Sequence, residues 1–316
     1  MYDSNSKGIS YTAGFFILIG FTIAAFLAAG LISIPIWSGM TGKSITEMEE
    51  NLTNPAYSNA IKVIQSISTV IGFLPPVIFT AMLLSRKPMK LLGFTGRISG
   101  NQLGLVFLIV IVSLIVSGSL AYMNEWLPIS EKLRTFFDKW EKEYNDQVEV
   151  IIGLNNITDY FIALLLMAFL PALCEEALFR GGLQNLLTRS TKKPWLSVII
   201  VSFIFSIVHF SFYGFLPRFF LGLMLGLLFQ LSGRLWLSIL AHFLNNAAAV
   251  TVIYIYKLQG KSIKEAIAES DGSWWGILAL PLVIILFTWL YRFSIKEKDE
   301  VQALAPDPNN PGNLFS

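Results

Sequence analysis

Long, uncharged apolar segments are the feature that most restricts how this chain can fold. A hydrocarbon core of about 30 Å needs roughly 20 residues of apolar helix to cross it, and only helices or closed barrels satisfy their backbone in lipid. We therefore expect an all-α fold, a polytopic membrane helical bundle of about eight transmembrane helices. The predicted spans are 11–37, 59–84, 102–123, 157–187, 195–213, 215–232, 235–256 and 274–293.

The composition agrees with a membrane environment. Charged residues make up 14% of the 316 residues and hydrophobic residues 54%, whereas a soluble domain carries about 25% charge. The net charge of +2 and the lack of a basic cluster argue against nucleic acid as a partner. We expect a multi-pass protein of the cell (cytoplasmic) membrane, with the lipid bilayer as its surroundings.

Basic residues in the connections predict the orientation, because Lys and Arg concentrate on the cytoplasmic side. They cluster after the second, fourth and last spans, so both termini are expected to be cytoplasmic. The residues are Arg86, Lys87, Lys90, Arg97, Arg189, Lys192, Lys193, Arg292, Lys296 and Lys298.

The chain divides into three predicted parts. Residues 1–154 hold the N-terminal transmembrane helices and an amphipathic segment on the outer face. Residues 155–255 hold a core with unusual polar residues. Residues 256–316 hold the last transmembrane helix and a cytoplasmic tail, rich in Pro, Asn and Gly, that we expect to be disordered.

The longest connection, 124–155, has apolar residues at helical spacing among Glu, Lys and Asp. It predicts an amphipathic helix lying on the outer membrane face or, with equal weight, a short helix packed on the loops of the bundle. The apolar residues are Leu133, Phe136, Phe137, Trp140 and Tyr144.

Ionisable and polar residues inside predicted spans are rare and usually mark a pathway or a site. The fourth span contains an acidic pair and an arginine, and both histidines of the chain lie in later spans. The residues are Glu175, Glu176, Arg180, His209, His242 and Asn246.

Helical spacing separates the two glutamates. Glu176 and Arg180 are four residues apart and share a face, which predicts a buried ion pair. Glu175 points elsewhere, has no cation on its own helix and is the candidate free carboxylate. His242 and Asn246 also share a face.

The number of residues between each polar group and the cytoplasmic end of its predicted span indicates how deep that group lies in the membrane. Glu175 and His209 each lie about 20 Å from the cytoplasmic side, at 1.5 Å per residue. His242 lies nearer, at about 10 Å, so a common site requires tilt or an earlier start of its helix.

Each polar residue also has a structural explanation. The ion pair could fix helix register, and Glu175, either histidine or Asn246 could hydrogen-bond a neighbouring helix. Arg218 could snorkel or reach an acid on another helix, and Gly222 and Gly226 are typical of close helix packing. Together, however, Glu, two His and Asn at compatible depths could activate water and stabilise an oxyanion.

Three motifs carry a family resemblance: "EEALFR" matches EExxxR, "FSIVH" matches FxxxH, and "HFLNN" matches HxxxN, in that order. The chain resembles the CPBP family of CAAX prenyl proteases and bacteriocin-processing (Abi) enzymes over roughly 155–255, which we interpret as a catalytic core. The family relation implies a membrane-embedded peptidase that acts on a peptide or a membrane-protein substrate.

The resemblance also implies roles by position. Glu175 would be the catalytic carboxylate, and His209 would hold and polarise the attacking water. His242 and Asn246 would be oxyanion partners of the substrate carbonyl, and Glu176 and Arg180 would support the site.

The catalytic type stays open between two mechanisms. Glu175, His209 and His242 could supply the His₂Glu ligands of a zinc metalloprotease. However, no HExxH occurs, and Glu175 as a ligand would leave no obvious base. We therefore favour a glutamate protease without a cofactor, with zinc as the alternative.

Two function classes are compatible with the sequence. The first is an intramembrane endopeptidase that cuts near the cytoplasmic half of the membrane. The second is a non-proteolytic protein, either a bacteriocin immunity or scaffold factor or a proton-coupled transporter. A proton relay does not need Asn246 beside His242, so the full set favours the protease.

Overall fold

The computed structural model describes residues 5–94, 96, 98–154, 156–261 and 273–303, with side chains up to residue 295. Arg97, the side chains of Lys296 and Lys298, and the predicted disordered tail 305–316 lie outside this description. The described part is helical, with no β-strand. The helices are α1 (Tyr11–Thr41), α2 (Ser58–Leu84), α3 (Gly100–Glu125), α4 (Glu131–Ile152), α5 (Ile157–Thr191), α6 (Pro194–Ile207), α7 (Phe215–Ser232), α8 (Leu235–Leu258) and α9 (Leu280–Ala303).

Seven helical segments within the described residues are long and apolar enough to cross a membrane, which confirms an all-α polytopic bundle. The predicted span 195–213 is the exception, because its helix α6 has only 14 residues. At 1.5 Å per residue it is about 21 Å long, too short to cross the hydrocarbon core alone. Phe210 has φ +49°, a left-handed conformation that ends the helical path.

A pair of adjacent prolines, Pro75 and Pro76, can kink or break a helix, but it does not break the second span. Both prolines lie inside α2, which continues from Ser58 to Leu84. Each proline removes one backbone donor, and packing against neighbouring helices makes such residues tolerable in membrane helices.

Two apolar clusters hold the bundle together. One joins α1, α2 and α5 to α6 and the start of α8, with Leu18, Val77 and Phe179 at its centre. The other joins α3, α7, α8 and α9, with Leu225 and Leu237 fully buried. Helices α7 and α8 contribute to both clusters and so connect the two halves of the bundle.

Helix α4 packs on a loop of the bundle, which is one of the two predicted arrangements. The ring of Phe137 stacks on that of Phe212 at a centroid distance of 4.5 Å. Phe136 and Trp140 on the same helix remain about half exposed, at 52% and 46%. Contact of these exposed rings with the membrane surface stays a prediction.

The expectation of close packing at Gly222 and Gly226 is confirmed. A Cβ atom at Gly222 would lie 3.0 Å from the Cα atom of Ser202 on α6. A Cβ atom at Gly226 would lie 2.8 Å from Oε1 of Gln184 on α5. The two glycines therefore let α7 approach α5 and α6 closely enough for backbone contact.

We predict that Gly222→Ala destabilises the bundle, because the methyl group meets the backbone of α6. The expected loss is about 1–3 kcal/mol, measured by thermal unfolding in detergent. Gly104→Ala in α3 is the matched control, since a Cβ atom there has nothing within 4 Å and alanine favours helix. Equal effects of the two substitutions would contradict the packing argument.

Candidate active site

The predicted ion pair between Glu176 and Arg180 is present and fully buried. Arg180 Nη1 donates to Glu176 Oε1 at 2.9 Å, and both side chains have 0% exposure. The second guanidinium arm, Nη2, donates to the carbonyl oxygen of Gly222 at 3.1 Å. The pair therefore also fastens α5 to α7. It lies where α5 adopts wide π-type turns, Ala177–Gln184, a distortion frequent at functional sites.

His242 joins this pair and is itself buried. Its Nδ1 lies 2.9 Å from Glu176 Oε1, the same oxygen that accepts from Arg180. Since an ionised carboxylate only accepts hydrogen bonds, Nδ1 is the donor and only Nε2 is left for other partners. The sequence assigned His242 to the substrate and did not indicate that Glu176 orients it.

Glu175 occupies a different environment from its neighbour. Its Oε2 is buried and has no hydrogen-bond partner among the described residues, while the side chain as a whole is 15% exposed. The nearest cationic or imidazole nitrogen is Nε2 of His209, 3.9 Å away. This agrees with the spacing argument that Glu175 is the carboxylate without a partner on its own helix.

His209 lies in the turn after α6. The predicted span 195–213 had required it to lie inside a helix. Its Nδ1 is 2.6 Å from the carbonyl oxygen of Phe205. A carbonyl oxygen only accepts, so Nδ1 carries the proton. In the neutral ring Nε2, the nitrogen that faces Glu175, is then an acceptor.

Phe205 connects the two groups of polar residues. Its ring centroid lies 4.9 Å from that of His209 and 5.8 Å from that of His242, and the Arg180 guanidinium lies 4.6 Å from the same ring. Phe205 lies four residues before His209, and sequence reasoning assigned it no role. It is the first residue of the FxxxH motif, which is the signal that could have indicated this position.

Helix α4 holds the turn that carries His209. Ser211 Oγ donates to Glu141 Oε2 at 2.8 Å, and the Tyr213 hydroxyl donates to Asp138 Oδ1 at 2.5 Å. Burial, and then the hydrogen bond to Asp138, raise the pKa of Tyr213 above its ordinary value, which keeps this hydroxyl a donor. These contacts link residues 70 or more positions apart, so local sequence reasoning missed them.

The depth mismatch predicted for His242 has a simple explanation. Helix α8 begins at Leu235 as expected, but Leu235 lies beside Gly181 of α5. Helix α5 continues for ten more residues to Thr191. The first turn of α8 therefore lies well inside the end of α5, and neither tilt nor an earlier start is needed.

Asn246 lies one turn beyond His242 on α8 and is partly buried. Within the described residues, its side-chain Oδ1 accepts a hydrogen bond from Asn245 Nδ2 at 3.2 Å. This contact leaves the Asn246 amide NH₂ group as a donor. Asn245, which received no role from the sequence, thus orients its neighbour.

The residues considered as zinc ligands from sequence are Glu175, His209 and His242. Within the described residues, no group of three His, Cys, Asp or Glu side chains is close enough to hold a metal ion. Glu175 Oε2 lies 3.9 Å from His209 Nε2, and His242 Nδ1 is bonded to Glu176. The choice between a zinc-dependent and a metal-free mechanism stays a prediction.

Comparison with known proteins gives one match. The family model "Type II CAAX prenyl endopeptidase Rce1-like" matches residues 157–248. No curated protein and no solved structure matches the chain. The matched segment contains all three motifs, with Glu175, Glu176, Arg180, His209, His242 and Asn246. Over this segment the chain is similar to the type II CAAX prenyl endopeptidases, which supports the assignment to the CPBP family that the three motifs indicated.

Proposed function

We propose that the chain is an intramembrane endopeptidase in which Glu175 activates water for attack on a peptide bond near the cytoplasmic half of the membrane. The family match supports a CAAX-type membrane protease in general. The observation that carries the finer proposal is the contrast between two adjacent carboxylates. Glu176 is bonded through Oε1 to Arg180 and His242, with its Oε2 left unpartnered. Glu175, in contrast, is bonded to no cation among the described residues, and its Oε2 lies 3.9 Å from His209 Nε2.

The distance between Glu175 and His209 suits a shared water. At 3.9 Å, Oε2 and Nε2 are too far apart for a direct hydrogen bond, and a water beside both atoms could contact each of them. The water donates one proton towards Nε2 of the neutral His209 ring. Glu175 accepts the other proton as the oxygen attacks.

The reaction then balances with no further reagent. The water oxygen bonds to the carbonyl carbon while its proton moves to Glu175. The C–N bond of the tetrahedral intermediate breaks, and Glu175 returns the proton to the leaving amine. The products are a new carboxyl terminus and a shortened peptide with a free amine.

The negative oxygen of the intermediate requires donors held in place beforehand. Asn246 presents its NH₂ group from α8, since Asn245 engages its oxygen. His242 lies one turn earlier, with Nδ1 fixed on Glu176 and Nε2 left for the substrate. We assign these two residues to the oxyanion, with Glu176 and Arg180 holding His242 in place.

Glu175→Gln is expected to lower the rate of peptide hydrolysis by about 10²–10⁴-fold, because an amide cannot accept the proton of water. The fold should survive, since Oε2 has no partner to lose. The assay is cleavage of farnesylated and unmodified C-terminal peptides by purified protein in liposomes. Glu143→Gln on the exposed face of α4 is the control, and wild-type cleavage by Glu175→Gln would refute the role.

Removal of one charge from the buried pair should destabilise the protein by about 3–5 kcal/mol, because the remaining charge loses its partner. Glu176→Leu should cost more than Arg180→Met, since Glu176 also bonds His242. The double variant should be milder than the sum of the two single variants. Thermal unfolding of the three variants in detergent checks this, and strictly additive losses would argue against the pairing.

Asn246→Ala is expected to lower kcat by about 10²–10³-fold, the usual loss for one oxyanion donor. Asn245→Ala should have a smaller effect in the same direction, because it only orients Asn246. Thermal unfolding of both variants separates loss of catalysis from loss of fold. Full activity in Asn246→Ala would remove this residue from the mechanism.

If Glu175 activates the water by itself, catalysis should not require a bound metal ion. Active protein dialysed against a chelator should keep its activity and contain far less than stoichiometric zinc. Elemental analysis of the same sample, with zinc added back, provides the measurement. Loss of activity on dialysis and recovery with zinc would establish a metal-dependent protease in place of the glutamate mechanism.

A further inference from the structure

The turn that carries His209 is closed by a hydrogen bond between the two helices that it connects. Residues 208–214 lead from α6 to α7. Ser206 is buried in the last turn of α6, and its Oγ donates to the carbonyl oxygen of Phe215, the first residue of α7, at 2.7 Å. This bond joins the two ends of the turn but does not determine where the turn lies relative to the other helices.

Asn124, in the last turn of α3, bonds this turn from a distant part of the chain. Its Nδ2 donates to the carbonyl oxygen of Phe212 at 2.8 Å, and its Oδ1 accepts from the backbone N–H of Leu216 at 3.4 Å. Asn124 is fully buried, with 0% exposure. A single amide group therefore bonds one carbonyl inside the turn and one N–H at the start of α7, 88 and 92 residues away along the chain.

The two bonds of Asn124 restrict where the turn can lie. The first N–H groups of a helix have no acceptor within that helix, and Asn124 supplies one for Leu216 at the start of α7. A buried donor that loses its acceptor is costly. The turn and the start of α7 are therefore stable where Asn124 can reach the carbonyl of Phe212 and the N–H of Leu216 at the same time.

The placement of Phe212 bears on His209, which lies three residues earlier in the same turn. His209 Nε2 is 3.9 Å from Glu175 Oε2, the separation at which one water could contact both atoms. Glu175 is carried by α5 and His209 by the turn after α6, so this separation changes whenever the turn moves relative to the bundle.

We infer that Asn124 is a positioning residue for the reaction, because its two hydrogen bonds keep His209 at the distance from Glu175 that a shared water requires. This inference rests on the proposed function and adds a residue to the same site. Asn124 does not touch the reacting atoms and acts through the turn. It lies outside the segment 157–248 that the family model matches, so the three motifs do not include it.

Asn124→Leu removes both hydrogen bonds and keeps the branching and the number of side-chain heavy atoms. In the liposome cleavage assay it should lower kcat by about 10- to 100-fold, the usual effect of a small displacement of a catalytic group, and leave KM unchanged. Because Asn124 acts through His209, adding Asn124→Leu to His209→Gln should cause no further loss. Ser119→Ala is the matched control and should keep kcat, since Ser119 is buried on the same helix and bonds the carbonyl oxygen of Ser273.

A second measurement does not depend on catalysis. The chain has two histidines, His209 and His242, so tag-free protein labelled with ¹⁵N-histidine gives imidazole signals from two residues, and His209→Gln assigns them. Asn124→Leu should shift the signals of His209 and leave those of His242 in place. Asn124→Asp is the second variant, in case Asn124→Leu does not fold. It keeps the acceptor for Leu216, but an ionised carboxylate cannot donate to Phe212, so it should also lower kcat and shift His209.

The outcomes separate this role from the proposed function. Unchanged kcat in a folded Asn124 variant, an equal fold-loss with and without His209, or an unmoved His209 signal would each overturn the role of Asn124 and leave the protease proposal intact. Loss of fold in both variants would also overturn it, because Asn124 would then serve the fold alone. A shifted His209 signal without cleavage of any peptide by wild type would support the placement of His209 by Asn124 and contradict the proposed function.

Discussion

The structure depends on one buried carboxylate, that of Glu176. One of its oxygens accepts from Arg180 and from His242, and Arg180 continues to the carbonyl oxygen of Gly222. Three helices, α5, α7 and α8, are thereby joined at a single point inside the bundle. A buried charge that loses its partner is costly in such an environment. These helices therefore have to pack together in one register, and that register sets the level of every other site residue.

The chemistry follows from the different surroundings of two adjacent acids. Neighbouring residues on a helix point about 100° apart, so Glu176 turns into the helix–helix contact while Glu175 faces the turn after α6. The first acid is held by a guanidinium and an imidazole, and its geometry is fixed. The second keeps an oxygen without a protein partner beside His209. Glu176 therefore makes the site rigid, and Glu175 in the adjacent position is available as a general base.

The position of His209 is decided outside the segment that carries the motifs. The turn after α6 contains Phe210 in a left-handed conformation, which costs about 1–3 kcal/mol for such a residue. Helix α4 compensates through Glu141 on Ser211 and Asp138 on Tyr213. The same helix places the Tyr144 ring on Arg218. The amphipathic helix of the long connection is thus part of the architecture of the site.

The sequence determined the properties that depend on local composition and spacing. Apolar length predicted the membrane bundle, four-residue spacing predicted the Glu176–Arg180 pair, and neighbouring positions on one helix separated Glu175 from Glu176. Only the tertiary structure decided which partner each group meets. His242 bonds Glu176, the α6 helix ends before His209, and Asn245 supports Asn246. Residue counts misjudged the depth of His242 because helices of unequal length begin at different levels, and the level of Leu235 beside Gly181 is set by packing between distant parts of the chain.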